Sequence, residues 1–267
     1  MFRPNRLKAR IRAGEKSLGT WLQSGNASFA ELAAIAGLDF VIIDQEHGPG
    51  DLGTAIDMMR AAACAEATGV IRVPSTEPAF LKRLVDAGAE ALLVPMVETA
   101  AQARAVVDSC RLQQRGSRGN AWDITRSSSY GLVPDYYGRA DDNLLLIMQI
   151  ETAKAVANAR EIASVDGVDM IFIGPSDLSA SIGLPGRTGA PEVEALIAET
   201  VTAVRAVGKP LATVPRDGRT WQQLFDEGFV MVPTGSDVAY YREAMKTLTA
   251  DWRRYRDPSA VRGVRVA

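Results

Sequence analysis

Short apolar runs alternate with helical patterns along most of the chain. Eight runs of mostly aliphatic residues have the pattern of strands, at 17–23, 39–44, 69–73, 91–97, 144–151, 169–174, 210–214 and 229–233. Between them, apolar residues recur every three or four positions, as on one face of a helix. Several of these stretches end in glycine, which is typical of a helix C-terminus. The pattern therefore predicts a repeated strand–helix unit.

The predicted strands are apolar on both faces, as strands of a parallel sheet covered by helices are. Eight strand–helix units within 267 residues favour an α/β fold, a (β/α)8 TIM barrel in one domain over residues 1–267. An open, doubly wound sheet stays the alternative, because counting elements does not show closure. No G-x-G-x-x-G follows the first strand, which argues against a dinucleotide-binding form of that sheet.

Two segments depart from a plain barrel. Residues 111–143 are long, polar and weakly periodic, and connections of that length are commonly lids, interface arms or disordered. Residues 237–256 predict a helix with a bulky apolar stripe. The stripe consists of Val238, Tyr241, Met245, Leu248, Trp252 and Tyr255. Such a helix either closes its own barrel or docks on a neighbouring subunit.

Composition narrows the class of protein further. Hydrophobic residues make up 47% and charged residues 23%, which are ordinary globular values. A net charge of -2 argues against nucleic acid or an anionic membrane as the main partner. No apolar run approaches the ~20 residues that span a bilayer. Cys64 and Cys110 follow no metal or disulfide spacing, so we expect a reducing, cytoplasmic environment.

Polar side chains follow the second and third predicted strands. Asp44, Glu46 and His47, the one histidine of the chain, come after the second, and Arg72 ends the third. In a barrel, catalytic groups belong at these carboxyl ends. Asp44 and His47 are spaced for a carboxylate–imidazole dyad that moves a proton, and the alternative is a loop histidine with no task. Arg72 either binds a ligand carboxylate or forms an internal ion pair with Asp44 or Glu46, and the two roles are compatible.

A second group of polar residues ends the fifth and sixth predicted strands. Gln149 and Glu151 are two apart and point to one face, about 6.6 Å apart along the strand. Asp177 follows the next strand, so Glu151 and Asp177 form the best pair for a hard divalent cation such as Mg²⁺ or Mn²⁺. The alternative is that both only cap helices. Glu98 ends the fourth strand without a preceding glutamine, and we rank it as a helix-start or supporting carboxylate.

The motifs that hold these residues resemble the HpcH/HpaI aldolase family. The resemblance covers roughly residues 17 to 240 and rests on "VIIDQEHGPGD", "IRVP", "GAEALLVPMVETAAQARAVV", "RGSRG", "MQIETAKAVANAREIASVDGVDMIFIGPSDLSASIGLPG" and "GSD". It implies a modified (β/α)8 barrel and a metal-dependent class II aldolase that joins or cleaves pyruvate and an aldehyde. Mg²⁺ or Mn²⁺ is the implied cofactor, with Co²⁺ and Zn²⁺ as further candidates.

The resemblance also implies residue roles. Glu151 and Asp177 match metal ligands, and Gln149 matches a neighbour of bound pyruvate, whose carboxylate pocket corresponds to Gly174, Pro175 and Ser176. Arg72 matches the group that steadies the enolate, and His47 with Asp44 matches the proton-transfer dyad. Trp21 matches the wall of the aldehyde pocket. The lysine nearest a strand end is Lys154, three residues past Glu151, so a Schiff-base route is disfavoured.

Other properties of the family leave several alternatives open. It implies a homotrimer or homohexamer with exchanged C-terminal helices. "QQRGSRG" departs from the usual start of its loop, and residues 111–143 are a candidate for setting the aldehyde partner. A related lyase that decarboxylates oxaloacetate or splits a CoA thioester is the main alternative enzyme. A binding barrel that has lost catalysis is the alternative from another class, and His47, Arg72, Glu151 and Asp177 argue against it.

Overall fold

Eight parallel strands pair in chain order, and the eighth pairs with the first, so the sheet is a closed barrel. The computed structural model describes residues 2–257. The strands are β1 (Ser17–Leu22), β2 (Phe40–Asp44), β3 (Thr68–Arg72), β4 (Ala91–Val94), β5 (Leu145–Ile150), β6 (Met170–Ile173), β7 (Leu211–Thr213) and β8 (Met231–Ser236). Each lies within one of the predicted runs or overlaps it. The barrel prediction is confirmed and the open-sheet alternative is wrong.

Helices surround this barrel. They are α1 (Arg6–Arg12), α2 (Ala27–Ile35), α3 (Leu52–Ala63), α4 (Pro78–Asp86), α5 (Ala100–Cys110), α6 (Tyr136–Asn143), α7 (Ala153–Ala157), α8 (Ala159–Ala163), α9 (Pro175–Ser181), α10 (Pro191–Arg205), α11 (Trp221–Asp226) and α12 (Asp237–Arg256), with a 3-10 turn at Arg126–Ser128. Within residues 2–257, none of them combines the length and apolar character needed to cross a membrane.

The core has two layers, as the two-sided apolar strands predict. The larger layer packs the outward faces of the strands against the helices. The smaller fills the inside of the barrel, where Phe40, Ile42 and Phe172 are almost fully buried. Leu7 and Ile11 of α1 belong to this inner layer. The short first helix, which the apolar pattern did not predict, therefore closes the N-terminal end of the barrel and leaves the carboxyl ends of the strands open.

The long connection 111–143 lies at the N-terminal end of the barrel. It joins α5 to β5, and a segment that precedes a strand must reach that strand's beginning. Its contacts agree, because the Phe2 N–H donates to Ser129 Oγ at 2.9 Å and the Asn5 N–H donates to Asn143 Oδ1 at 2.9 Å. The suggestion that this segment sets the aldehyde partner is therefore wrong for the cavity of its own chain, which opens at the other end.

The last helix, α12, does not pack along its own barrel. Asp237 is its one buried residue in the part of the helix that the structure describes. Five residues of the predicted apolar stripe are exposed: Val238, Tyr241, Leu248, Trp252 and Tyr255. The interpretation of α12 as a helix that closes its own barrel is therefore wrong. That it docks on a second subunit stays a prediction.

Candidate active site

An open cavity of about 470 Å³ lies at the carboxyl ends of the strands. Eight of the ten residues predicted for the site line it: Trp21, His47, Arg72, Gln149, Gly174, Pro175, Ser176 and Asp177. The other two, Asp44 and Glu151, are buried directly behind this wall, at 3% and 2% exposure. The structure therefore brings together residues that are up to 156 positions apart in the sequence, from Trp21 to Asp177.

Arg72 is held on three sides by the protein. The parallel register of β2 and β3 sets it beside Asp44, to which it donates two hydrogen bonds, from Nε to Oδ1 at 3.0 Å and from Nη2 to Oδ2 at 2.5 Å. Its Nη1 lies 3.0 Å from Glu46 Oε2. The guanidinium also lies over the Trp21 ring, 4.6 Å from its centroid. The internal ion pair is thus formed with both carboxylates, and it fixes the guanidinium at the cavity wall.

The side chains of Asp44 and His47 do not form the expected dyad. Asp44 is occupied by Arg72, by Gln23 Nε2 at 3.2 Å and by the backbone N–H of His47 at 3.2 Å. The His47 imidazole is 62% exposed, and its Nε2 lies 3.8 Å from Glu46 Oε2. The spacing correctly placed both residues at the carboxyl end of β2, but the contact that it predicted between their side chains is not formed. Asp44 shapes the turn through the backbone, and Glu46 is the carboxylate beside the imidazole.

Glu151 is buried at the mouth and held through both carboxylate oxygens. Oε1 accepts the Met96 N–H at 2.6 Å, and Oε2 accepts a hydrogen bond from Gln149 Nε2. Met96 has a left-handed backbone, φ 54°, although it is not glycine. Gly174 packs against this pair so closely that an added Cβ would lie 2.8 Å from both Gln149 Nε2 and Glu151 Oε2. The position of Glu151 is therefore fixed by its surroundings.

Negative charge accumulates at this end of the barrel. Burial, with a smaller contribution from the nearby carboxylates of Asp177 and Glu46, raises the pKa of Glu151 to about 7. Burial also raises the pKa of Glu46, despite its contact with Arg72. Asp44 is the exception, because hydrogen bonds and the charge of Arg72 lower its pKa against the effect of burial. Four carboxylates thus face one guanidinium, an arrangement that favours a bound cation.

The donor atoms also fit a divalent cation. Gln149 Oε1 is buried and has no hydrogen-bond partner within residues 2–257, and such an orphaned oxygen is costly unless a ligand, ion or water occupies it. No cluster of three or more His, Cys, Asp or Glu side chains suited to a metal occurs in the described part of the chain. Glu151 and Asp177 are two carboxylates at this end of the barrel, and a pair of carboxylates would leave positions for waters and substrate oxygens, as Mg²⁺ requires.

The helix-capping alternative fails for Glu151. The N-cap of α7 is Thr152, whose side chain accepts the N–H of Ala155. At the next strand, the N-cap of α9 is Gly174, and Asp177 lies in the first turn of the helix, with an exposed side chain that lines the cavity. Neither carboxylate is therefore a capping residue.

Glu98, which follows β4 as Glu151 follows β5, has a different environment. It accepts hydrogen bonds from Thr152 Oγ1 at 2.9 Å and from Lys154 Nζ at 2.9 Å. The contact with Lys154 lowers the pKa of Glu98. Glu98 thus ties the start of α7 to the β4 end, as its rank as a supporting carboxylate predicted. The same contact directs Lys154 away from the cavity, which does not include it in its wall.

Five further residues line the cavity that the sequence did not single out: Gln23, Phe172, Val214, Gly235 and Ser236. Gln23 lies two positions after Trp21, the same spacing that joined Gln149 to Glu151, so its place at a strand end was a usable signal. Phe172 packs edge-on against Trp21, with ring centroids 6.0 Å apart. Val214 follows β7 and Gly235 lies near the end of β8, and neither carries a chemical group that would have drawn attention to it.

The fold and this cavity define a barrel enzyme of the kind that carries its site in the strand-end loops. The sequence profile of the HpcH/HpaI aldolase/citrate lyase family matches residues 17–244. The chain belongs to this family, and the predicted membership is confirmed.

Individual relatives agree with the family match over nearly the whole chain. A hydroxypyruvate/pyruvate aldolase from Agrobacterium fabrum is 40% identical over 256 residues, which cover 96% of this chain and 95% of the relative. A 2-keto-3-deoxy-L-rhamnonate aldolase from Escherichia coli K12 is 36% identical over 97% of both chains. The crystal structure of a family member from Burkholderia cenocepacia J2315 superposes with a TM-score of 0.87 at 34% identity, and the match covers 93% of this chain and 99% of that one.

Proposed function

We propose that this protein is a class II pyruvate aldolase, which forms or cleaves 4-hydroxy-2-oxo acids from pyruvate, or a close 2-oxo acid such as hydroxypyruvate, and an aldehyde. The observation that carries the proposal is the buried Glu151, held by Gln149 and Met96 beside Asp177, at the mouth of a barrel that also presents Arg72. The names of the aldolase relatives support the substrate class.

Glu151 and Asp177 would hold the divalent cation, for which Mg²⁺ and Mn²⁺ are our candidates. When bound, such an ion polarises the carbonyl of the 2-oxo acid as a Lewis acid. The raised pKa of Glu151 and the orphaned Gln149 Oε1 support this assignment. Co²⁺ and Zn²⁺ accept the same oxygen donors and are further candidates.

The 2-oxo acid would lie between Gln149, the wall formed by Gly174, Pro175 and Ser176, and Arg72. Ser176 is exposed to the cavity and offers a hydroxyl to the substrate carboxylate. The Arg72 guanidinium, fixed by two carboxylates, would donate to the keto oxygen as negative charge develops there. Because Arg72 is already oriented, little free energy is lost in ordering it during the reaction.

His47 would transfer the proton at the aldehyde oxygen, through a water molecule. Its imidazole is exposed to the cavity and has the Glu46 carboxylate 3.8 Å away. Glu46 is the carboxylate beside the imidazole, so it takes the supporting role that the sequence gave to Asp44. The remaining wall, formed by Trp21 and Phe172, supplies an apolar surface for the aldehyde.

We also propose a homo-oligomer, a trimer or a hexamer, in which α12 docks on a neighbouring subunit. The exposed apolar residues of α12 support this assembly, because a helix with so many exposed aromatics gains stability from a partner. A cytoplasmic location belongs to the same proposal and rests on two cysteines that form no disulfide.

A panel of 4-hydroxy-2-oxo acids, assayed for release of pyruvate or hydroxypyruvate, tests the function. We expect turnover in the presence of Mn²⁺ or Mg²⁺ and its loss in EDTA. Glu151→Gln should lower kcat/KM at least a hundredfold, while the matched Glu98→Gln, at the equivalent place after β4, should stay within threefold. Full activity in EDTA would refute the metal-dependent mechanism.

The same assay separates the aldolase from a related lyase. The family includes citrate lyase proteins, and stabilisation of an enolate would also serve decarboxylation of oxaloacetate or cleavage of a CoA thioester. Steady decarboxylation of oxaloacetate with no retro-aldol product from the panel would favour that second activity. Binding of pyruvate by calorimetry without any turnover would favour a barrel that has lost catalysis.

A further inference from the structure

A second cavity lies at the opposite end of the barrel from the candidate active site. Its volume is about 320 Å³, and it lies between α3, the start of β3, the turn from α4 to β4 and the 3-10 turn of the long connection. Three arginine side chains line it: Arg3, Arg60 and Arg126. None of the residues that we assign to the aldol reaction belongs to its wall.

The wall of this cavity carries an excess of positive charge. Against its three guanidinium groups stands one carboxylate, Glu90. Arg3 occupies that carboxylate with two hydrogen bonds, of 2.6 and 3.1 Å. Arg60 has a partner outside the wall, Asp57 on the same helix at 3.0 Å. Because arginine keeps its proton in proteins, the wall residues themselves have an excess of two positive charges, part of which Asp57 offsets from outside the wall, although the chain as a whole has a net charge of -2.

Arg126 is the guanidinium of this group that lacks a counter-ion. It is half-buried, and its Nη1 donates to the backbone oxygen of Ala87 at 2.9 Å. Within residues 2–257, no carboxylate lies at ion-pair distance from it, whereas Arg3 and Arg60 both have one. Burial lowers the pKa of Arg126, and the charge of Arg60 lowers it further. A partly desolvated cation without a partner is stabilised by any anion that enters the cavity.

The backbone around Arg126 is built to hold it in this place. Gly88 has φ +86°, and a Cβ there would lie 2.7 Å from Arg126 Nη1, so the guanidinium occupies space that only glycine leaves free. On the other side, Ser129 ends the 3-10 turn with φ 56°, and its hydroxyl accepts the Phe2 N–H at 2.9 Å. The Arg126 guanidinium is therefore held at the cavity wall by Ala87 and Gly88, and the turn that carries it is anchored to the N-terminal segment through Ser129.

We propose that this cavity binds a small dianion, a phosphate monoester or a dicarboxylate, through the guanidinium groups of Arg126 and Arg60. Guanidinium forks match the paired oxygens of phosphate and carboxylate. Two negative charges on the ligand would neutralise the excess positive charge of the wall. A volume of about 320 Å³ is at the small end of ligand sites and suits a small ligand. Met59 and Ala63 on one side accept a short apolar portion of the ligand.

Isothermal titration of the EDTA-treated, full-length protein with inorganic phosphate and, separately, with malonate tests this site. We expect saturable binding of at least one of the two probes at low millimolar concentration or below. Arg126→Gln should weaken that binding at least tenfold. Arg104→Gln, which removes the same charge from an exposed position on α5, should change it less than twofold. The probe that binds more tightly identifies phosphate or dicarboxylate as the ligand chemistry.

Two further measurements keep the result decisive. Thermal melting shows whether Arg126→Gln folds, and if it does not, Arg60→Gln, at an exposed helix position, replaces it with an expected loss of at least threefold. Binding that is equal in the wild type and in the variant would place the anion elsewhere, for example beside Arg72, and would overturn the proposal. The proposal would also be overturned if neither probe showed saturable binding at concentrations up to about 20-fold above the low millimolar range. Retro-aldol turnover is measured in parallel and tests the proposed function independently.

Discussion

A single added methyl group at Gly174 tests whether the position of Glu151 is fixed as the structure indicates. In Gly174→Ala the new Cβ would lie 2.8 Å from Gln149 Nε2, 2.8 Å from Glu151 Oε2 and 3.0 Å from Glu151 Cβ. The backbone of Gly174, φ -100° and ψ 91°, is accessible to alanine, so the expected effect is steric and not a backbone strain. Either the strand end or the Gln149–Glu151 pair must move.

The size of the effect follows from these contacts. Overpacking of a filled site costs about 1 to 3 kcal/mol, which corresponds to a fall in melting temperature of roughly 2 to 4 °C per kcal/mol for a domain of this size. Displacement of a reacting or ligating group by about 1 Å can lower a rate by about a hundredfold. We therefore expect Gly174→Ala to melt several degrees lower and to lose at least tenfold in Mn²⁺ affinity and a hundredfold in kcat/KM.

The matched control is Gly53→Ala. Gly53 lies in α3, and its nearest neighbour to an added Cβ is Asp51 Oδ1 at 3.4 Å, an ordinary contact. Alanine is favoured over glycine in a helix by about 1 kcal/mol, so this variant should melt at or above the wild-type temperature and keep its activity. Differential scanning calorimetry, Mn²⁺ titration by electron paramagnetic resonance and the pyruvate-release assay measure the three quantities. Wild-type Mn²⁺ affinity in Gly174→Ala would refute the assignment of Glu151 to the metal.

Four further outcomes follow from the same contacts. Arg72→Lys loses the paired hydrogen bonds and the stacking on Trp21, so kcat/KM in the pyruvate-release assay should fall at least a hundredfold; a fall below tenfold would contradict the proposed role. Met96→Ile places a β-branched residue at φ 54° and should turn the amide away from Glu151, lowering Mn²⁺ affinity in a calorimetric titration, whereas Met96→Gly should retain it. In EDTA, the pKa of Glu151 is about 7 in the folded state against 4.5 in the unfolded chain, so the folded state binds a proton that the unfolded chain releases, and the free energy of unfolding should fall by roughly 3 kcal/mol as the pH rises from 4.5 to 7. In urea unfolding, the Glu151→Gln variant should lack this part of the loss. Trp252→Glu on the exposed face of α12 should shift the species seen by analytical ultracentrifugation towards the monomer, and a wild-type protein that sediments as a monomer would contradict the proposed assembly.

The barrel could be predicted from the sequence because its strands are apolar on both faces. Burial on two sides leaves an uninterrupted apolar run, and eight such runs with helices between them leave few arrangements. The same reasoning placed Asp44, Arg72, Glu151 and Asp177 at one end of the molecule, since the carboxyl ends of parallel strands meet there. Closure of the sheet needed the structure, because no local pattern records that β8 pairs with β1.

The contacts between side chains within the site were harder to predict from the sequence than the strands were. His47 lies in a turn, and in a turn the spacing along the chain does not determine which carboxylate the imidazole contacts. The structure directs it to Glu46, because Asp44 already binds Arg72 and two backbone N–H groups. Strand register, by contrast, is regular, which is why the contact between Asp44 and Arg72 was among the predicted alternatives.

Two other differences have simple physical causes. The place of residues 111–143 was available from the order of elements, since a segment that precedes a strand lies at its N-terminal end. Helix α1 carries only Leu7 and Ile11 as buried apolar side chains within a basic segment, so its amphipathic pattern is too short to detect. Both segments nevertheless close the end of the barrel that is opposite to the site and so leave one accessible mouth.

The distribution of charge means that the cation binding we propose would be coupled to folding. Asp44, Glu46, Glu151 and Asp177 approach one another as the strands align, and Arg72 compensates only part of their charge. Their mutual repulsion opposes the folded state until a cation enters, and a ligand that binds only the folded state stabilises it by about 2.7 kcal/mol at a concentration a hundredfold above its dissociation constant. If these residues hold a metal ion as we propose, the metal-free barrel would be the less stable form. The supports of Glu151, which are the Met96 amide and the close packing of Gly174, would keep its geometry in spite of the repulsion.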